Sequence, residues 1–133
     1  MVSRVGKAVV WLSAGLLLSA AVPASAQASG WQASYQDGIV RVPADRSGIK
    51  VCDGRADGRV YQARWAHDNK VPVGGVFEVR APQGGCAGDD SIWGKVMVFK
   101  LCWGHLGHNK RVVWERCGAP QWLTAKPSWW KKK

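Results

Sequence analysis

Alternation of apolar and polar residues, with no helical period, is the strongest constraint on this chain. Beyond residue 26 no segment sustains apolar positions at i, i+3, i+4 and i+7. Short runs alternate instead, and turn residues break them. In residues 59–66, Tyr61, Ala63 and Trp65 fall on one face and Val60, Gln62 and Arg64 on the other, so Trp65 is expected inside and Arg64 outside. In residues 95–103, Met97, Phe99, Leu101 and Trp103 share one face, while Val96, Val98 and Cys102 share the other with Lys100. Apolar residues on both faces mark a central strand. Residues 39–42, 48–52, 76–80 and 111–116 read as further strands. The spacing predicts an all-β, disulfide-stapled sandwich or barrel of roughly six to eight short strands.

The start of the chain reads as a leader. Residues 1–7 are basic through Arg4 and Lys7, residues 8–22 are continuously apolar, and Pro23-Ala24-Ser25-Ala26 presents small residues where a signal peptidase reads them. A secretory signal peptide over residues 1–26 is expected, with cleavage after Ala28 as the alternative site. The apolar run is short for a bilayer span, and no later stretch approaches it, so no transmembrane segment is expected in the mature chain. About 105 residues then remain, which suits one small domain. Export would place the chain in an oxidising, extracellular setting.

That setting gives Cys52, Cys86, Cys102 and Cys117 their meaning. Four cysteines allow three connectivities, and the sequential one, Cys52–Cys86 with Cys102–Cys117, is preferred. Their spacings are too wide for a zinc knuckle, so no metal is expected there. Cys52 opens the corner Val51-Cys52-Asp53-Gly54-Arg55-Ala56-Asp57-Gly58. In it Asp53 and Asp57 read as turn residues bonding their own backbone, since the calcium-loop spacing is absent. Residues 81–91 read as a long loop pinned by Cys86, residues 104–109 as a turn, and residues from 118 onward as irregular.

Catalytic signatures are missing from the sequence. There is no Gly-x-Ser-x-Gly elbow. His105 and His108 lie three apart, but flanking glycines make that stretch a turn and not a shared metal face. No enzyme activity, cofactor or metal is expected.

Charge and aromatics point to binding. The formal net charge is +10, which favours acidic partners such as anionic polymers, lipid surfaces or acidic proteins without selecting among them. No dedicated nucleic-acid site is read. Of nine tryptophans, Trp11 falls in the leader, and Trp65, Trp103 and Trp114 sit on expected strands. Candidate binding residues cluster near the two ends of the mature chain. Residues 27–38, a mobile arm or first edge strand, carry Trp31 and Tyr35. Residues 39–122 form the β-domain, and residues 123–133 form a basic tail with Trp129, Trp130, Lys131, Lys132 and Lys133. Two indoles before three ammonium groups is a pattern suited to a headgroup interface.

The stretch from Ile49-Lys50-Val51-Cys52-Asp53-Gly54-Arg55-Ala56-Asp57-Gly58 through Val60-Tyr61, the glycine-rich loop holding Cys86, Val98-Phe99-Lys100-Leu101-Cys102 and the closing Cys117 resembles a group of small secreted actinobacterial β-proteins. The likeness covers residues 49–122. It implies secretion, a β-fold and the sequential disulfides, and assigns no activity. A weaker similarity is to adaptor subunits of secreted multi-protein toxin particles, whose N-terminal arm docks by strand addition. Together these readings suggest a secreted, non-catalytic adaptor, inhibitor or surface-interaction module, with a secreted or cell-surface protein as partner. The alternative is a cationic, tryptophan-rich effector of anionic envelopes, and a small hydrolase is the remotest reading.

Overall fold

In the computed structural model, residues 30–70 and 75–130 are described. They form nine strands: β1 Trp31–Tyr35, β2 Gly38–Val42, β3 Gly48–Asp53, β4 Arg59–His67, β5 Phe77–Arg80, β6 Cys86–Asp90, β7 Val96–Leu106, β8 Val112–Cys117 and β9 Gln121–Trp122. Sheet A has the order β1-β2-β3-β6 and sheet B the order β5-β4-β7-β8, with β9 paired to β7 beyond the end of β8. All pairings are antiparallel. The sheets pack face to face, so of the expected sandwich or barrel the fold is the all-β sandwich, with nine strands where six to eight were expected.

Alternation builds the core. Sheet A contributes Val40, Val42, Ile49 and Val51, and sheet B contributes Tyr61, Ala63, Trp65, Phe99, Leu101 and Trp103. Trp65 lies inside and Arg64 outside, as the pattern predicts. Each large side chain removed from water contributes about 1.5–3 kcal/mol. Gly38 lets the sheets meet closely, because a Cβ there would stand 2.0 Å from the Tyr61 ring.

Both disulfides have the sequential pairing. Each clips neighbouring strands of one sheet, and neither joins the two sheets. The Asp53 N–H donates to the Gly85 carbonyl (2.8 Å), and the Gly118 N–H donates to the Leu101 carbonyl (2.8 Å). These bonds put Cys52 opposite Cys86, and Cys102 opposite Cys117, at the intervening non-hydrogen-bonded sites. Facing Cα atoms are closest at such sites.

Four details differ from the pattern reading. Residues 81–91 contain an edge strand, β6. Cys-Ala-Gly-Asp-Asp lacks β-branched residues, and pairing to β3 plus the disulfide supplies its order. Strand β7 continues through Gly104, His105 and Leu106 because β8 pairs with it there. The short β9 lies within residues expected to be irregular. Finally, Ala66 faces Val98 and His67 faces Val96, so Met97 is bulged. The bulge turns Val96 into the main core and moves Met97 to a second cluster with Ala66 and Val98. Residues 27–29, 71–73 and 131–133, which carry parts of the arm, edge and tail readings, lie outside the described residues.

Candidate functional site: a cationic groove lined by tryptophan

The groove begins with the return of the chain after β8. Val98 faces Trp122 and Phe99 faces Gln121 in the β7–β9 pairing, and the Leu123 N–H donates to the Met97 carbonyl (2.9 Å). Pro127 and Trp130 close a turn through a Trp130 N–H to Pro127 carbonyl bond (3.1 Å). The segment thus folds over the outer face of sheet B. Trp122, Trp129 and Trp130 pack on Ala66, Met97 and Val98. The Trp122 and Trp130 rings meet edge to face at 5.6 Å, and Trp129 meets Trp130 at 6.2 Å, the offset geometry that aromatic quadrupoles favour.

Between this cover and sheet B lies a cavity of about 360 Å³, whose lining includes Arg64, Lys100, Lys126, Val76, Trp122 and Trp130. Lys126 Nζ stands 5.7 Å from the Trp122 ring centre, within cation–π range. Arg64 Nε is 3.0 Å from Glu78 Oε1, which neutralises one of the three cations. Lys100 has no ion-pair partner among the described residues. The groove therefore offers positive charge beside apolar and aromatic walls. That combination suits an anionic group carried on an apolar body.

The structure brings Trp130 into the groove and Trp129 beside it, whereas Lys131, Lys132 and Lys133 lie outside the described residues. Trp31 and Tyr35 are placed elsewhere, on β1. Both are half-buried against the main core, and Tyr35 stacks on Trp103 at 4.0 Å with 10° between planes. Packing thus occupies both rings. Sequence reasoning overlooked Arg64, Lys100, Lys126 and Trp122 as groove residues. One signal was visible: Lys100 is the charged member of an otherwise apolar outer face on the central strand.

Several other polar residues serve the fold. Asp53 Oδ1 accepts from the Arg55 N–H and Asp57 Oδ1 from the Arg59 N–H, each at 3.0 Å, which is the predicted turn chemistry. Two bonds from Ser47, from its hydroxyl at 2.7 Å and its N–H at 3.1 Å, hold the Asp45 carboxyl below its ordinary range. Burial pushes the Tyr61 phenol up. His105 Nδ1 lies 2.7 Å from Glu115 Oε1. Among the described residues no group of three His, Cys, Asp or Glu is placed to hold a metal ion, and no helix is long and apolar enough to cross a membrane.

Comparison with known proteins adds no family. No family model, no curated protein and no solved structure matches the chain.

Proposed function

We propose that this chain is an extracellular, non-catalytic binding module that recognises an acidic segment of a secreted or cell-surface protein partner. The observation that carries the reading is the groove on sheet B. The chain spends its C-terminal segment on building it, and Lys100 and Lys126 stand beside Trp122 and Trp130. A carboxylate of the partner would meet the lysines, and its neighbouring apolar side chain would lie against the indoles. Tryptophans of this kind anchor interfaces when a well-packed pocket surrounds them. The leader sequence and the two formed disulfides support an extracellular setting.

The test compares captures from the producing organism's culture supernatant. Immobilised mature chain should retain a stoichiometric protein that survives moderate salt. Lys100→Glu with Lys126→Glu should lose it, because both substitutions reverse the charge facing the acidic segment while keeping the indole walls. Capture of the same protein by the charge-reversed chain would refute the assignment of the groove.

A further inference from the structure

Strand β8 is an exposed edge of sheet B. It pairs with β7 on one side, and no described strand pairs with it on the other. Five of its six residues are exposed, although Val112-Val113-Trp114 has the composition of a covered strand. Across the hairpin Leu106 faces Val112, His105 faces Val113 and Gly104 faces Trp114. Of the six large hydrophobic residues exposed among those described, this hairpin holds three: Leu106, Val113 and Trp114. The edges β5 and β6 are better guarded. β5 has only four residues, and β6 carries Gly88 beside Asp89 and Asp90. Short length and charge are common protections of a sheet edge. β8 has no proline, and the irregularity in its pairing falls beside Glu115, which leaves Val112 to Trp114 in regular register.

We infer that β8 receives an extended, acidic segment of a protein partner as an added strand. The incoming backbone would pair with the outer side of β8, its apolar side chains would meet Val113 and Trp114, and its carboxylates would meet Arg111 and Arg116. The charge balance selects this occupant. Lys110, Arg111 and Arg116 have no ion-pair partner among the described residues. The one carboxylate on the strand is already engaged: Glu115 Oε1 lies 2.7 Å from His105 Nδ1, and Oε2 lies 3.8 Å from Arg59 Nη1. A second copy pairing through its own β8 would bring two sets of these cations together. A bilayer fails for another reason, because an open edge immersed in lipid leaves its backbone groups unpaired. The edge is also held in place. The Gly107 N–H donates to the Arg111 carbonyl (2.8 Å) at one end, and the Cys102–Cys117 disulfide ties the other. Between them the Arg80 guanidinium stands 5.3 Å from the Trp114 ring centre. Pairing therefore orders little additional chain on this side. Arg64, Lys100, Lys126 and Trp122 take no part in the edge, so this inference does not rest on the groove.

The probe is a synthetic heptapeptide of alternating Glu and Val, capped at both ends and titrated into the mature full chain. A control peptide of the same sequence is N-methylated at alternate residues, which keeps the charges and blocks pairing along one edge. The readout is amide hydrogen exchange at those positions of residues 112–116 that exchange freely in the chain alone, so peptide held in the groove does not enter it. The acidic peptide should slow exchange there, and the N-methylated peptide should not. Arg111→Glu with Arg116→Glu should raise the peptide concentration for half-protection about tenfold or more. Its urea midpoint should stay close to that of the parent chain, because Arg111 and Arg116 are exposed. Lys100→Glu with Lys126→Glu should leave protection at residues 112–116 unchanged. No added protection there with the acidic peptide would overturn the proposal. Equal protection by the N-methylated peptide would do the same, since charge alone would then account for the contact. So would a dimer of the free chain in sedimentation equilibrium that Trp114→Ser abolishes, since a second copy would then fill the edge.

Discussion

The two sheets share one core and differ in what covers their other faces. On sheet A, Arg41 stands directly opposite Lys50, and Lys50 opposite Gly88, with both cations exposed to solvent. On sheet B the outer face is covered twice. Trp122, Trp129 and Trp130 lie over Ala66, Met97 and Val98 at one end. Toward the other end, Arg80 of β5 and Trp114 of β8 meet at 5.3 Å although β4 and β7 lie between their strands. Their contact spans the face where Val60 is 2% and Gln62 6% exposed. Gly104 lets the β8 backbone come close to β7 beside Trp114, since a Cβ there would stand 2.2 Å from the Val113 carbonyl oxygen. The lesson is that a strand buried on both sides, such as β7, has no spare face. Any groove on such a strand must be built by whatever covers it, and here the C-terminal segment does so.

The contrast can be broken by substitution. Phe99→Ala empties a site that both sheets share and should cost about 3–5 kcal/mol in urea unfolding. Replacing each disulfide by alanines should cost about 4 kcal/mol for Cys52–Cys86 and about 3 kcal/mol for Cys102–Cys117, following their separations of 34 and 15 residues. If the sheets are stapled independently, the two losses should add within error. Trp129→Ala with Trp130→Ala uncovers sheet B alone. Both rings are only half-buried, so the loss should be about 2 kcal/mol, below the value for full burial, with increased binding of an apolar dye.

Two smaller effects are expected, one on each sheet. Tyr61 has its phenol pushed up by burial, so the folded state holds that proton more tightly than the unfolded chain. Stability from this group is complete below the ordinary phenol range near pH 10 and falls as pH rises through it toward the folded value. Tyr61→Phe should remove this component of the alkaline loss, read from urea midpoints against pH. Smallest is Arg41→Gln on the bare sheet. Like charges directly opposite one another destabilise a pair by up to about 1 kcal/mol, so this substitution should raise stability by several tenths.

Local alternation made the core legible wherever a strand was covered on the side its pattern implied. Tyr61, Ala63 and Trp65, and Phe99, Leu101 and Trp103, are inside as their spacing requires. The pattern failed at Met97, because a bulge changes the facing of a strand with no mark in composition. It failed at β6 and β9 because their order comes from partner strands and a disulfide, with little from their own propensity. Trp129 and Trp130 stood out in the sequence, but Lys100 joins Lys126 across 26 positions only through the fold-back.

The direct test of this account is amide hydrogen exchange on the mature chain and on its Trp129→Ser, Trp130→Ser variant. If the C-terminal segment covers sheet B, the variant should lose protection around Ala66 and through residues 97–99, while β2 and β3 keep theirs. Unchanged protection at Ala66 and Val98 in the variant would contradict it.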